Sequence, residues 1–305
     1  MFFSREFIRL RLKITLQDYL FCLQFEIQDL TEIKMEILGT LRASSVISLF
    51  DCPLSWYYAN VRGLRSPNNG LSGTGTAIHA GTAHFDTARL NGEVPDVLAS
   101  VEITVNALID PDAEIEWDSI SQRRDMETKA VKLVTKYCLE VSPTREFVAV
   151  ELHCPPLYVE TKSGVIKLTG STDRIRRTPS GELGIVDLKS SKLAVKVEEE
   201  LVASTKNHHL QLGVYTLLAE SAANTVFEAP AEIIGLSTGK ESNIAISEVT
   251  DVKTALLGDE DAGFEGMLDM AGKMMKLGFF PPNPRSILCS KKYCAGYSIC
   301  QYKGN

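Results

Sequence analysis

The chain has 305 residues, 44% of them hydrophobic and 23% charged, and a formal net charge of −7. This is the composition of a globular protein with chain enough to bury a core, which excludes a disordered, collagenous or small disulfide-stapled protein. No run approaches the roughly 18–20 uninterrupted apolar residues of a membrane span. The first 34 residues also lack the clean apolar core and cleavage site of a signal peptide, so a cytoplasmic protein with no membrane partner is expected.

Residues 1–34 are poorly patterned and read as an appendage, and an orderly run begins at Met35. Ser44 to Tyr58 predicts a helix begun by a serine cap, Gly63 to Gly75 a loop, and Thr76 to Leu90 a second helix. Acidic residues from Glu102 to Asp118 read as a solvated face or loop, and Arg123 to Val141 as a helix. Together residues of about 90–142 make a helical insertion. The period then changes. Phe147 to Leu152, Leu157 to Thr161 and Val165 to Arg176 predict strands, with Lys162, Ser163 and Gly164 as a tight turn. Leu183 to Leu188 is apolar enough for a central strand, Leu193 to Ala223 is mostly helical, Ala231 to Leu236 is a strand, and Val252 to Leu277 is a final helix. The segment 279–305 is a Pro- and Cys-rich tail. Helices, antiparallel strands, then helix, strand and helix make an α/β layer architecture.

The chemistry concentrates at Asp173 and at Asp187-Leu188-Lys189. Asp173 falls near the start of one strand and Asp187 near the end of its neighbour, and strands about 4.8 Å apart let two carboxylates meet on one cation. Asp187 and Lys189, two apart, share a strand face, and the Leu188 carbonyl adds a hard oxygen. This equips the chain for a divalent cation beside a positioned amine, although Asp-x-Lys alone equally describes an exposed ion pair. His79, one turn into a helix entered through glycines, offers a nitrogen ligand or is an ordinary surface histidine. Gln211 and Tyr215, four apart, share a helix face suited to phosphate or to supporting hydrogen bonds. Glu151, on the preceding strand, either completes an acidic site or faces solvent.

In order, GTAIH (75–79), GSTDRI (170–175), IVDLKSSK (185–192) and QLGVY (211–215) resemble the RecB-type branch of the PD-(D/E)XK nuclease superfamily, over roughly Ser45 to Tyr302. The resemblance implies a restriction-endonuclease-like core over residues 35–305, with a mixed central sheet flanked by helices. It implies a metal-dependent DNA exonuclease in which His79, Asp173, Asp187 and the Leu188 carbonyl hold Mg²⁺ or Mn²⁺. Lys189 acts there with Asp173 and Asp187, and Gln211 and Tyr215 form the downstream motif, while Glu151 matches no motif firmly. Thr172 stands where the superfamily name has Pro. The implied partners are DNA and a helicase, single-strand annealing protein or other recombination factor. Arg174, Arg176, Arg177 and the basic tail are placed to track a phosphate backbone.

Cys22, Cys138 and Cys154 sit among apolar neighbours and read as core thiols. Cys289, Cys294 and Cys300 cluster in the tail, and clustered cysteines in a cytosolic chain are more often ligands than disulfides. Cys52 is the best candidate for a fourth. This layout resembles the iron–sulfur variety of the same branch, phage and prophage members especially, and implies a structural [4Fe–4S] cluster on Cys52, Cys289, Cys294 and Cys300. Cys289-x₄-Cys294 departs from the Cys-x₂-Cys of many relatives. Zinc on the same thiolates and a metal-free reduced set are the other readings. The segment Gly235 to Glu241 is one residue short of a phosphate-binding loop and ends in Glu241, so the chain supplies no helicase motor. The alternative function is a non-catalytic DNA-binding or scaffold subunit that keeps the fold and the cluster.

Overall fold

The computed structural model describes residues 36–111, 114–259 and 261–303. The expected appendage of residues 1–34, with Cys22, lies outside them. An edge strand, β1 (Ile37–Arg42), leads through a 3₁₀ turn into α1 (Val46–Asp51) and α2 (Pro53–Asn60). The single helix expected over 44–58 is therefore broken. Pro53 lacks an N–H and disfavours helical backbone in the residue before it, so Cys52 is extended, with φ −142° and ψ 90°. Ser45 makes no cap, because its hydroxyl donates to the Arg42 carbonyl at 3.0 Å and accepts from the Trp56 indole at 3.2 Å.

The next helix, α3 (Gly70–Leu90), begins well inside the expected loop, where the Asn69 side chain accepts the Leu71 and Ser72 N–H groups at 3.1 Å each. Gly70 and Gly73 serve packing rather than a loop. A Cβ on them would lie 2.4 Å from the Trp117 ring and 2.5 Å from Ile115. Asp96 caps α4 (Val97–Ile109), which takes up much of the acidic stretch read as a solvated face or loop. Its Ser100, Thr104 and Leu108 are buried. α5 (Ile120–Lys136) then loosens into a π turn over Tyr137–Val141.

The strands are β2 (Glu146–Thr161), β3 (Gly164–Arg177) and β4 (Leu183–Ser191). The two strands expected within 147–161 are one, bent where the register shifts between Cys154 and Leu157. Pro155 and Pro156 occupy the shift, where missing N–H groups cost no ladder bond. A small hairpin, β5 (Val195–Val197) and β6 (Leu201–Ala203), precedes α6 (His209–Ala223), so the helix expected from Leu193 starts only at His209. The β-branched Val195, Val197 and Val202 favour pairing there.

β7 (Ala231–Ser237) and β8 (Ile244–Val249) follow, then α7 (Thr254–Leu257) and α8 (Met267–Leu277). The long final helix is interrupted at Gly258, whose φ of +87° reverses the chain, and a Cβ there would meet the Gly266 nitrogen at 2.5 Å. β1 and β8, both short outer strands of the sheet, have no counterpart among the predicted elements.

Six strands form the main sheet in the order β1-β3-β4-β7-β8, with β2 also paired to β3. β4 and β7 run parallel, while β2–β3, β3–β4 and β7–β8 are antiparallel. Alternation sorts the central side chains into two cores. Ile185 and Ile233 join Leu49, Leu212, Leu218 and Leu268, towards α1, α6 and α8. Val186, Leu188, Ile234 and Leu236 join Ile78, Phe85, Leu108 and Leu133, towards α3, α4 and α5. Each such side chain, fully buried, contributes about 1.5–3 kcal/mol. The mixed sheet flanked by helices is the α/β architecture that the sequence predicts. No described helix is long and apolar enough to cross a membrane.

Candidate active site

β3 and β4 stay paired up to Arg174 opposite Val186. One residue further the ladder ends, leaving Asp173 and Asp187 at the fork. Asp173 thus lies near the C-terminal end of β3, not near the start of its strand. Its carboxylate takes over the duty of the departed backbone: Oδ2 accepts the Leu188 N–H at 2.7 Å. Asp187 and Lys189 share a strand face, with Lys189 Nζ 2.7 Å from Asp187 Oδ2. The same ammonium donates to Gln211 Oε1 at 2.9 Å, and Gln211 Nε2 donates to the Tyr215 hydroxyl at 3.1 Å, one turn along α6.

From the other side α3 delivers His79. Its Nε2 lies 3.1 Å from the Leu188 carbonyl oxygen, and its Nδ1 lies 3.6 Å from Asp173 Oδ1. Gly75 permits this approach, since a Cβ there would sit 2.8 Å from Ser190 Oγ. A cavity of about 440 Å³ opens over the fork, lined by His79, Asp173, Asp187, Lys189, Gln211 and Tyr215 among others.

The electrostatics of the fork call for positive charge. Asp187 is 1% exposed. Burial, opposed by Lys189 and reinforced by the Asp173 charge, pushes its carboxyl up to about 6. Glu151 is also raised, by burial first and then by Asp173. Asp187 Oδ2 is buried, and the Lys189 ammonium 2.7 Å away is its partner. A carbonyl can only accept, so the bond from His79 to Leu188 requires the proton on Nε2. In the neutral ring Nδ1 is then an acceptor facing the Asp173 carboxylate. Two acceptors 3.6 Å apart repel unless a proton or a cation stands between them. Carboxylates, an imidazole and a carbonyl form a donor set that fits a divalent cation such as Mg²⁺ or Mn²⁺.

Glu151, which matches no motif, is placed beside this group: one ligand atom each from His79, Glu151 and Asp173 lie within 4.8 Å of one another. The sequence offers it only as a residue of the preceding strand, and the register of the β2–β3 hairpin is what sets it across from Asp173. His208, just before α6, is half-buried, and its Nδ1 has no hydrogen-bond partner among the described residues. Burial and then the Lys189 charge push its imidazole down to about 4.

The arginines expected to track phosphate are otherwise engaged. Arg174 is fully buried and ion-paired to Asp86 at 2.7 Å and Glu151 at 3.0 Å. Arg176 pairs with Glu232 at 3.3 Å and Glu248 at 3.4 Å, and Arg177 with Glu146 at 3.2 Å. Carboxylates distant in sequence neutralise them, which local charge counting does not see. In the tail, Lys292 is held by Asp118 at 2.9 Å.

A second constellation lies elsewhere on the chain. Cys52, Cys289, Cys294 and Cys300 are free thiols lining one cavity of about 240 Å³. The break before Pro53 sets Cys52 outside the helices. There it accepts the Asn283 N–H at 3.3 Å, and Ser55 Oγ donates to Cys294 Sγ at 3.4 Å. Asp51 accepts the Ser286 hydroxyl at 2.5 Å, and a Cβ on Gly296 would strike the Tyr58 ring, so the tail packs tightly on α1 and α2. Cys138 and Cys154 are buried as core thiols.

Among solved structures, SSO0001 is similar at 16% identity over 95% of this chain and 98% of its own, with a TM-score of 0.40. A protein named "Putative exonuclease" from Eubacterium rectale is similar at 14% identity over 81% of this chain and 84% of its own, with a TM-score of 0.47. No curated protein matches the chain. Residues 40–301 match the family model of the PD-(D/E)XK nuclease superfamily. That match takes in the fork of β3 and β4 together with the tail cysteines, and on it the chain belongs to the PD-(D/E)XK nuclease superfamily.

Proposed function

We propose that this chain is a divalent-metal-dependent deoxyribonuclease of the RecB type, an exonuclease on single-stranded DNA or DNA ends. The observation that carries the reading is the fork itself, where Asp173, Asp187, Lys189 and His79 converge beneath an open cavity. Residues 35–305 form the nuclease domain, and recombination, repair, or phage or CRISPR DNA processing is its setting, with a helicase or annealing protein as partner. His79, Asp173, Asp187 and the Leu188 carbonyl would hold Mg²⁺ or Mn²⁺. When bound, the cation supplies Lewis acidity, acidifying a water and offsetting the charge that gathers on the phosphate. Lys189, steadied between Asp187 and Gln211, orients the attacking water and faces the developing negative charge. Tyr215 holds Gln211 in turn, through the hydroxyl that accepts its amide N–H.

End-labelled single and double strands are expected to be degraded with Mg²⁺ or Mn²⁺, to persist with a chelator, and to persist with Asp187→Ala. Absence of cleavage under every metal condition, with strands bound but intact, would favour the scaffold reading instead.

For the four cysteines we propose a [4Fe–4S] cluster. All four line one cavity, and Cys52 comes to it from the other end of the described chain. The N–H and O–H groups on Cys52 and Cys294 suit thiolate sulfurs. Anaerobically purified protein is expected to be brown with bound iron and sulfide, and Cys52→Ser to lose colour and lower the melting temperature. Colourless protein carrying stoichiometric zinc overturns the cluster and leaves the nuclease reading standing.

A further inference from the structure

Glu151 lies in mid-strand, yet its φ is +48°, in the left-handed region that an L side chain seldom enters. Its neighbours keep register with β3, Val150 opposite Arg174 and Leu152 opposite Thr172, so Glu151 stands across from Asp173. An ordinary solvent-facing glutamate needs no such backbone. Strain of this kind survives where the surroundings impose it, and it gathers at functional sites.

The surroundings here centre on Arg174. Its Nη1 donates to Glu151 Oε1 at 3.0 Å and to the Asp173 carbonyl at 2.7 Å. Its Nε donates to Asp86 Oδ2 at 2.7 Å, within a side-chain cluster that solvent does not reach. Asp86 also accepts the Tyr137 hydroxyl at 2.6 Å and the Ser142 hydroxyl at 2.5 Å. Tyr137 opens the π turn after α5, a local irregularity often found at functional sites. Its Nη2 donates to Thr82 Oγ1 on α3 at 3.3 Å, so the guanidinium is fixed from behind and turns Nη1 to the strand pair.

With Oε1 taken by Arg174, Glu151 retains a second oxygen, and its side chain is 46% exposed. A ligating carboxylate is characteristically held by just such an outer hydrogen bond. Its companions in reach are His79 and Asp173, one ligand atom of each lying within 4.8 Å of the others. We propose that Glu151 is an additional protein ligand of the cation, on the His79–Asp173 side, and that Arg174 is the residue that positions it. This rests on the metal-dependent reading above.

The test is Mn²⁺ binding to the full chain, followed by calorimetry and by the Mn²⁺ electron paramagnetic resonance signal. Glu151→Gln keeps the shape and an acceptor for Arg174 but removes the charge. It is expected to weaken Mn²⁺ binding about 10–100-fold, the range seen when a metal site loses a supporting group, and to alter the bound-Mn²⁺ spectrum at an unchanged melting temperature. Arg174→Lys, which keeps the charge but not the fork, is expected to weaken binding by a similar factor. Should that variant not fold, Tyr137→Phe loosens the same relay and is expected to cost a few-fold. Binding by Glu151→Gln within twofold of the parent, with an unaltered spectrum, overturns the ligand assignment. Weakening by Glu151→Gln alone, with the Arg174 or Tyr137 variant unchanged, overturns the positioning role. Asp187→Asn separates the two levels: if it too binds Mn²⁺ like the parent, the metal site itself is misassigned.

Discussion

Replacing Lys189 by alanine is expected to slow phosphodiester cleavage about 10²–10³-fold, the usual cost of deleting one preorganised electrostatic group. The side chain sits at the rim of the sheet, 23% exposed, so its loss opens no core cavity and the fold should persist. Two effects act in the same direction. The ammonium no longer faces the phosphate, and Asp187 loses the neighbour that draws its raised carboxyl back down. The Asp187 carboxyl then rises further above about 6, so a larger fraction is protonated at neutral pH and Mn²⁺ binding weakens. Lys189→Arg should not restore the rate, because a planar fork cannot reproduce one compact charge held between Asp187 Oδ2 and Gln211 Oε1. Initial rates on end-labelled DNA, with Mn²⁺ affinity measured on the same samples, check both effects. A Lys189→Ala enzyme within threefold of the parent would remove Lys189 from the reaction.

Arg174→Met is the substitution expected to hurt stability most, by about 3–5 kcal/mol. Arg174 and Asp86 are both fully buried, and the mutation leaves the Asp86 carboxylate in the core with only the Tyr137 and Ser142 hydroxyls for partners. Burial and the adjacent Asp86 hold the Tyr137 hydroxyl well above its ordinary value, so it stays a neutral donor that brings no positive charge to Asp86. At roughly 2–4 °C per kcal/mol for a domain of this size, the melting temperature should fall by about 6–20 °C. The double variant Arg174→Met with Asp86→Leu should recover much of this loss, because an apolar pair replaces an abandoned charge. Urea unfolding of the parent, the single and the double variant measures the difference. A single variant within 1 kcal/mol of the parent would show that Asp86 finds other compensation.

The contrast between these two residues follows how each is specified. Lys189 could be singled out because its relation to Asp187 is the two-residue period of a strand, and Gln211 and Tyr215 because four residues bring side chains onto one helix face. Local rules of this kind also located the central strands and the helical segment after Arg123. They misjudged Gly70 and Gly73, which look like loop residues but exist for the side chains of Trp117 and Ile115. They missed β1 and β8, short strands at the outside of the sheet whose pairing partners supply the evidence. They also ran a helix through 193–208 and across Gly258, where tertiary pairing and a positive φ prevail.

The α/β class, the four ordered motifs and the grouping of three tail cysteines are legible in the amino-acid order, because each depends on spacing along the chain. Folding in three dimensions buries Arg174 against Asp86 rather than exposing it to DNA, and sets Glu151 beside His79 and Asp173. It also brought Cys52 to the cavity of the tail cysteines. Each of those outcomes depends on residues far apart in the chain, which long-range strand register and helix packing bring within reach of one another.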